Sequence, residues 1–230
     1  MTGTFINVGA ILAGTLLGAA VGSRLPKAFQ ERVMAGLGLL TLVIGIDLAL
    51  AWRDTSPLYV MGGVLIGGLV GEALGIEERL SNLGDRLQAR ARGRGGTVSE
   101  AFFTSSLLFC IGPLAVVGSI QDSLEGNLEP LVTKSLLDGF ASIALAAALG
   151  PGVALAALSV LIYQGALSLG AGLFDSVLEG EALNALTSAG GVLIIGISLK
   201  LLGLTDVKVG NFLPALVFAP VLVGITNAIS

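Results

Sequence analysis

The chain contains no histidine and a single cysteine, Cys110. Without histidine there is no HExxH zinc helix and no serine–histidine nucleophile pair. A lone thiol closes no intrachain disulfide and cannot build a thiolate metal cage by itself. The GxGD pattern of intramembrane aspartyl proteases is missing, and so is the P-loop pattern, which argues against ATP-driven chemistry by this chain alone. These absences lead us to expect no enzyme, no resident metal and no cofactor. Charge is scarce as well: Asp, Glu, Lys and Arg make up 12% of residues, against about 25% in ordinary soluble domains. The balance is acidic, with net charge −4, so the basic surface that a nucleic-acid partner requires is lacking.

What is present is hydrocarbon and glycine. Hydrophobic residues make up 54% of the chain, the mean hydropathy is +0.93, and there are 34 glycines. In lipid, glycine lets helix backbones approach closely. The composition therefore predicts an all-α, polytopic integral membrane helix bundle with the bilayer as its first partner. With about 20 apolar residues per crossing as the ruler, eight spans are expected near 5–23, 33–52, 58–75, 101–120, 132–149, 152–174, 184–204 and 211–229. The count becomes seven if one segment is re-entrant. The first apolar run, MTGTFINVGAILAGTLLG, has no basic residue before it, so it reads as a retained span rather than a cleaved signal.

Basic residues orient the bundle. Arg24, Lys27 and Arg32 lie in the first loop, Arg79, Arg86, Arg90, Arg92 and Arg94 in the third, and Lys200 and Lys208 flank the seventh span. Arg53 and Lys134 fall on the other side, where the loops carry Asp122, Glu125, Glu129, Asp175, Glu179 and Glu181. By the positive-inside rule the odd-numbered loops are cytoplasmic and both termini lie outside. The connector GIEERLSNLGDRLQARARGRGG places Ile76, Leu80, Leu83 and Leu87 at helical spacing, as expected either of an amphipathic helix on the inner leaflet or of a solvated linker. LVIGIDL (residues 42–48) matches LIIGISL (residues 193–199), which would make spans one to three and six to eight copies displaced by five crossings, the second inverted. Such repeats are a transporter architecture. The chain accordingly divides into a first repeat half (1–75), a cytoplasmic linker (76–100), two central spans (101–150) and a second repeat half (151–230).

Few residues in the spans can carry chemistry. FCIGPLAVVGSIQD sets Gly112 and Pro113 inside an apolar run, followed by Ser119, Gln121 and Asp122. Proline removes an amide donor and clashes with the preceding turn, and in lipid the freed carbonyls must be met by protein or by a wet cavity. Two half-helices there would offer carbonyls to a cation and amides to an anion, whereas a kink covered by a neighbouring helix would offer neither. Lys134 and Asp138, four residues apart, share one helix face, and Ser135, Asp138 and Ser142 form a polar stripe. Lys134, nearer the interface, can snorkel outward. Asp138 is the first choice of site residue, its alternative being a structural ion pair. Asp47 and Lys200 are placed near span ends. Tyr163, Gln164 and Gly165 are expected to interrupt the sixth span, with Gln164 seeking a partner across the bundle. Asn7 and Asn211 each read as a cap or a ligand, a helix cap being the first reading of Asn211. Gly14, Gly18 and Gly22, and again Gly63, Gly67 and Gly71, line helix faces suited to packing within a subunit or between the subunits of a homo-oligomer.

FCIGPLAVVGSIQDSLEGN, TKSLLDGFASIALAAALGPGV, the YQG of span six, VGNFLPAL and GTFINVGAILAG together resemble the YdfK/YqgA-type bacterial membrane proteins, domain-of-unknown-function family 554. The likeness covers nearly the whole chain. It implies residence in a bacterial cytoplasmic (inner) membrane and, on function, only a suggestion of sodium channel or transporter. Its motif positions here are Cys110, Gly112, Gly118, Ser119, Asp122, Lys134, Asp138, Gly139, Ser142, Tyr163, Gln164, Asn211 and Pro214. Pro113 departs from the small residue that relatives carry, which weakens a proline-specific account of the break.

Carboxylate, hydroxyl and carbonyl oxygens are hard ligands, so the expected function is a transporter or channel for a small ion or solute, a monovalent cation such as sodium or the proton fitting best. Its expected site is a polar midplane cavity between the repeat halves, lined by Asp138, Ser135, Ser142, Ser119 and the carbonyls around Gly112, with Asp122, Tyr163, Gln164 and Asn211 as further candidates. The competing expectation is a non-transporting membrane scaffold whose glycine faces bind partner helices.

Overall fold

The computed structural model describes residues 1–90, 97–174 and 178–229, so Arg92, Arg94 and Asp175 lie outside the described residues. Every regular element among those described is helical. In chain order they are α1 (Thr2–Gly22), α2 (Lys27–Ala49), α3 (Pro57–Leu74), α4 (Ile76–Arg90), α5 (Thr97–Cys110), α6 (Pro113–Leu124), α7 (Glu129–Leu149), α8 (Ala156–Leu169), α9 (Ala171–Phe174), α10 (Gly180–Leu201) and α11 (Ala215–Ile229). Tight helical turns at Leu50–Asp54, Pro151–Leu155 and Val209–Phe212 extend α2, α8 and α11 to full crossing length. Local chemistry sets the ends. In α3, the Ser56 hydroxyl accepts from the Leu58 amide, proline opens the first turn, and Gly75 closes the helix at φ 59° in the left-handed region. The large apolar side chains left outside, such as Leu16, Leu69 and Phe140, are over 70% exposed and form the lipid-facing surface.

The helices gather into two compact units, each drawing on both ends of the sequence. One comprises Met1–Leu37, Leu80–Cys110 and Leu114–Ala171; the other comprises Gly38–Arg79, Ile111–Pro113 and Gly172–Ser230. In the first unit α1 lies along α7. Gly3 meets Leu131, Gly14 the Gly139 carbonyl and Ser142, Gly18 the Ile143 carbonyl and Ala146, and Gly22 meets Ala147. In the second, Gly63, Gly67 and Gly71 of α3 meet Ala219, Ala215 and Asn211, while Gly38 and Gly45 of α2 meet Leu202 and Ile195 of the α10 segment. Both glycine ladders are thus spent inside their own units, where any Cβ would collide with backbone.

The expected interruption is a true break. Helix α5 ends at Cys110, Gly112 takes φ 137°, and α6 starts at Pro113 with its axis turned by 62°. Fourteen and twelve residues give about 21 and 18 Å, so neither half alone spans the roughly 30 Å hydrocarbon layer, whereas the two together do.

Helix directions decide between crossing and re-entry. The α1–α7 contacts advance together along both helices, so the pair is parallel. Between them lie α2, α3 and the broken pair. Three crossings return the chain to its starting direction for α7, and two would reverse it. The Asp122 carboxylate at the far end of α6 accepts from the Gly3 amide at 2.9 Å, which brings that end to the side where α1 begins. In the second unit α3 and α11 are antiparallel, as are α2 and α10, which also requires the broken pair to cross. These directions, with seven long apolar helices and one bent pair among the described residues, fit eight crossings.

Within the stretch read as a linker, α4 covers Ile76–Arg90 and α5 begins at Thr97. Asp122 lies on the last turn of α6, buried, rather than in an outer loop. The sixth span is not interrupted at Tyr163–Gly165, because α8 runs through them unbroken; its irregularities fall at Pro151–Leu155 and after Leu169, where proline and glycine stand.

Topology mapping tests the parity. Reporter fusions after Asn127 and after Asp85 are expected to report opposite sides of the membrane, and fusions at the two termini the same side. Matching signals from Asn127 and Asp85 would make α5–α6 re-entrant.

Candidate functional site

The polar residues of the first unit converge because its helices carry them at helical spacing on their inner faces. On α7, Lys134, Ser135, Asp138 and Ser142 are buried, while Leu136, Leu137 and Phe140 point outward. On α1 the buried face runs through Thr4, Asn7, Ile11, Gly14 and Thr15. The glycines bring that face against α7, and Asn7 reaches the ion pair.

At the centre, the Lys134 ammonium donates to Asp138 Oδ2 at 2.6 Å, both side chains being less than a tenth exposed. Lys134 therefore turns inward to the carboxylate rather than snorkelling. The same Oδ2 accepts from Asn7 Nδ2 at 2.9 Å, a bond between α1 and α7. This answers the question of Asn7: it is a partner of the charged pair, not a cap.

The hydroxyls divide into two groups. Ser119 and Ser135 donate back to the carbonyls of Ala115 and Leu131, both at 2.6 Å, and are satisfied within their own helices. Ser168 donates to the Ser119 carbonyl at 3.2 Å, and Ser123 to the Ser168 carbonyl at 2.8 Å, which ties α6 to α8. Against these stand enclosed atoms with no partner among the described residues: Thr4 Oγ1, Asn7 Oδ1, Thr15 Oγ1, Ser142 Oγ, and both amide atoms of Gln164, itself 0% exposed. Buried polar groups are ordinarily satisfied, since an unpaired one costs about 1–3 kcal/mol. These atoms lie on α1, α7 and α8. Gln164 lacks the cross-bundle partner expected of it. Asp122, by contrast, serves the start of α1, lying 2.9 Å from both the Gly3 amide and the N-terminal amine.

Asn211 belongs to a separate cluster in the second unit. It caps a helix, as expected, but the helix is α4, 134 residues away: Asn211 Oδ1 accepts from the Glu77 amide at 2.7 Å, while its Nδ2 donates to Glu72 at 2.6 Å. Glu77 in turn accepts from the Gly210 amide at 2.8 Å and pairs with Lys200 at 3.3 Å. Sequence reasoning missed Glu72 and Glu77, which look like ordinary loop charges; the clue was a carboxylate pair beside the left-handed Gly75. The Lys208–Glu72 contact, at 3.8 Å and about two-thirds exposed, adds little stability. Asp47 is exposed. Gly112 supplies the break in the first unit's helix pair, while its own connector, Ile111–Pro113, groups with the second unit.

A double-mutant cycle tests the ion pair. Asp138→Asn alone strands the Lys134 ammonium and is expected to destabilise the protein by about 3–5 kcal/mol, whereas Lys134→Met/Asp138→Asn should recover most of that loss in detergent unfolding. Additive single effects would mean that the pair is not coupled.

No solved structure matches the chain. The family model described as a protein of unknown function (DUF554) matches residues 2–224. The uncharacterized membrane protein YdfK of Bacillus subtilis (strain 168) is 31% identical over 230 residues, covering 99% of this chain and 98% of that protein. The uncharacterized protein YqgA of Escherichia coli (strain K12) is 30% identical over 222 residues, covering 94% of each. With the family model and both relatives spanning nearly all of its helices, the chain belongs to the DUF554 family of proteins of unknown function.

Proposed function

We propose that the protein is a transporter for a small monovalent cation, sodium or the proton, with Asp138 in its path through the polar core of the first unit. The observation that carries this reading is a buried ion pair bonded to Asn7, in a unit whose α1, α7 and α8 also carry enclosed polar atoms with no partner among the described residues. Charges at bilayer depth are expensive and are retained mainly where they serve a pathway. The break between α5 and α6 supports it, because irregular backbone at membrane depth is tolerated where it is covered by protein or lines a wet cavity. The matched segments of α2 and α10 run antiparallel, as inversion of a repeat demands, which favours alternating access over an open channel. The reading places the protein in the bacterial cytoplasmic membrane with both termini outside, following the basic residues. A partner-binding scaffold is the weaker reading, since both glycine ladders are already occupied inside the units.

Sodium-22 uptake and proton flux in proteoliposomes test the proposal. Wild type is expected to conduct one of these ions, and Lys134→Met/Asp138→Asn, its helicity verified by circular dichroism, to lose at least about tenfold of that flux, a barrier change of roughly 1.4 kcal/mol. Absence of both fluxes in folded wild type, or undiminished flux in the double variant, would sink it.

A further inference from the structure

The group formed by Lys134, Asp138 and Asn7 has a feature that a merely structural ion pair does not need. One carboxylate oxygen, Asp138 Oδ2, takes both the ammonium at 2.6 Å and the Asn7 amide nitrogen at 2.9 Å. The oxygen of that same amide, Asn7 Oδ1, is enclosed and unpartnered, and Asn7 is 0% exposed. A side-chain amide carries a donor at one corner and an acceptor at the other, and half a turn exchanges them. An amide oxygen turned toward a carboxylate is repelled by it, unless a cation lies between the two.

We propose that this group is a cation-exchange site in which the Lys134 ammonium is the tethered occupant: a monovalent cation displaces it from Asp138, and Asn7 turns its Oδ1 inward to become the second ligand. The inference rests on the transport reading and adds the chemistry that the site selects. Charge decides the valence. The resting pair is neutral, and replacing the ammonium at Asp138 by an ion of the same charge keeps the carboxylate neutralised. A divalent ion would leave surplus charge in a medium of low dielectric. Ligand type decides the hardness, because carboxylate and amide oxygens suit alkali cations better than soft metals. Ser142, one turn further along the same face of α7, offers the next unpartnered oxygen.

The displaced lysine has somewhere to go. Lys134 is five residues into α7, which begins at Glu129, so its Cα lies about 7.5 Å along the axis from the helix start. Its four-carbon stem reaches the interface from there by snorkelling. The two lysine positions, inward on Asp138 and outward at the headgroups, are the two states between which the exchanging cation chooses.

The test uses the full chain in lipid nanodiscs and measures thermal unfolding in sodium chloride against choline chloride at matched ionic strength, with calcium chloride as a third series. Sodium is expected to raise the wild-type midpoint. In Lys134→Gln the half-saturating concentration should fall by about tenfold, because a competitor has been removed. The response should vanish in Lys134→Gln/Asn7→Leu, and calcium should add nothing specific. If Lys134→Gln does not fold, Lys134→Arg replaces it; its bidentate guanidinium holds the carboxylate harder and should raise the half-saturation severalfold. Unchanged half-saturation in a folded Lys134 variant, absence of any sodium response in both wild type and variant, or a response that survives Asn7→Leu overturns the exchange site. Sodium-22 uptake keeps the two ideas apart: flux with an unaltered half-saturation rejects the exchange alone, and a sodium-dependent shift without flux supports the site while rejecting the conduit.

Discussion

A bilayer offers no water to a stranded polar group, and both units of this protein are organised by that constraint. Helices meet the backbone's demand, except where the chain breaks at Gly112. Side chains must meet their own, and in the first unit they do so by gathering on one carboxylate. That gathering requires α1 and α7 to approach within hydrogen-bond reach of Asn7 and Asp138. The approach is made possible by Gly14, Gly18 and Gly22, which lie under carbonyls and small side chains of α7. The glycine ladder and the ion pair are therefore one device: remove the small residues and the amide of Asn7 no longer reaches the charge.

The second unit solves the same problem differently. Its ladder, Gly63, Gly67 and Gly71, draws α3 against the chain entering α11 and delivers Asn211 to the end of α3 and the start of α4. The carboxylates there are only partly buried and are answered by backbone amides and lysines, so the cluster fastens helix ends rather than holding a charge at depth. Among the described residues, the deeply buried pair lies in the first unit, which also carries enclosed polar atoms without partners on α1, α7 and α8.

Much of the architecture was legible in sequence because it is written in composition and period. Long apolar runs set the crossings, glycine every fourth residue marked the contact faces, and a lysine and aspartate four apart announced their own pairing. Pro113 marked the helix break, and the structure shows why Gly112 accompanies it: φ 137° is a conformation that only glycine adopts without strain. What stayed hidden was long-range. Nothing local in INVG says that Asn7 will meet Asp138, or in VGNF that Asn211 will cap α4. Tyr163–Gly165 misled because a polar residue in an apolar run resembles a break, when a helix tolerates a glutamine well and breaks at proline and glycine. The parity of the crossings became readable only from which helices run parallel.

The parallel pairing of α1 with α7 also bears on how the chain is made. Asn7 and its partner Asp138 are 131 residues apart, so at synthesis rates of about 5–20 residues per second the first helix waits roughly 7–26 s for the carboxylate that completes it. During that interval α1 stands in the membrane with its glycine face and its amide uncovered. The helix made first finds its main partner only when the fifth crossing has been made.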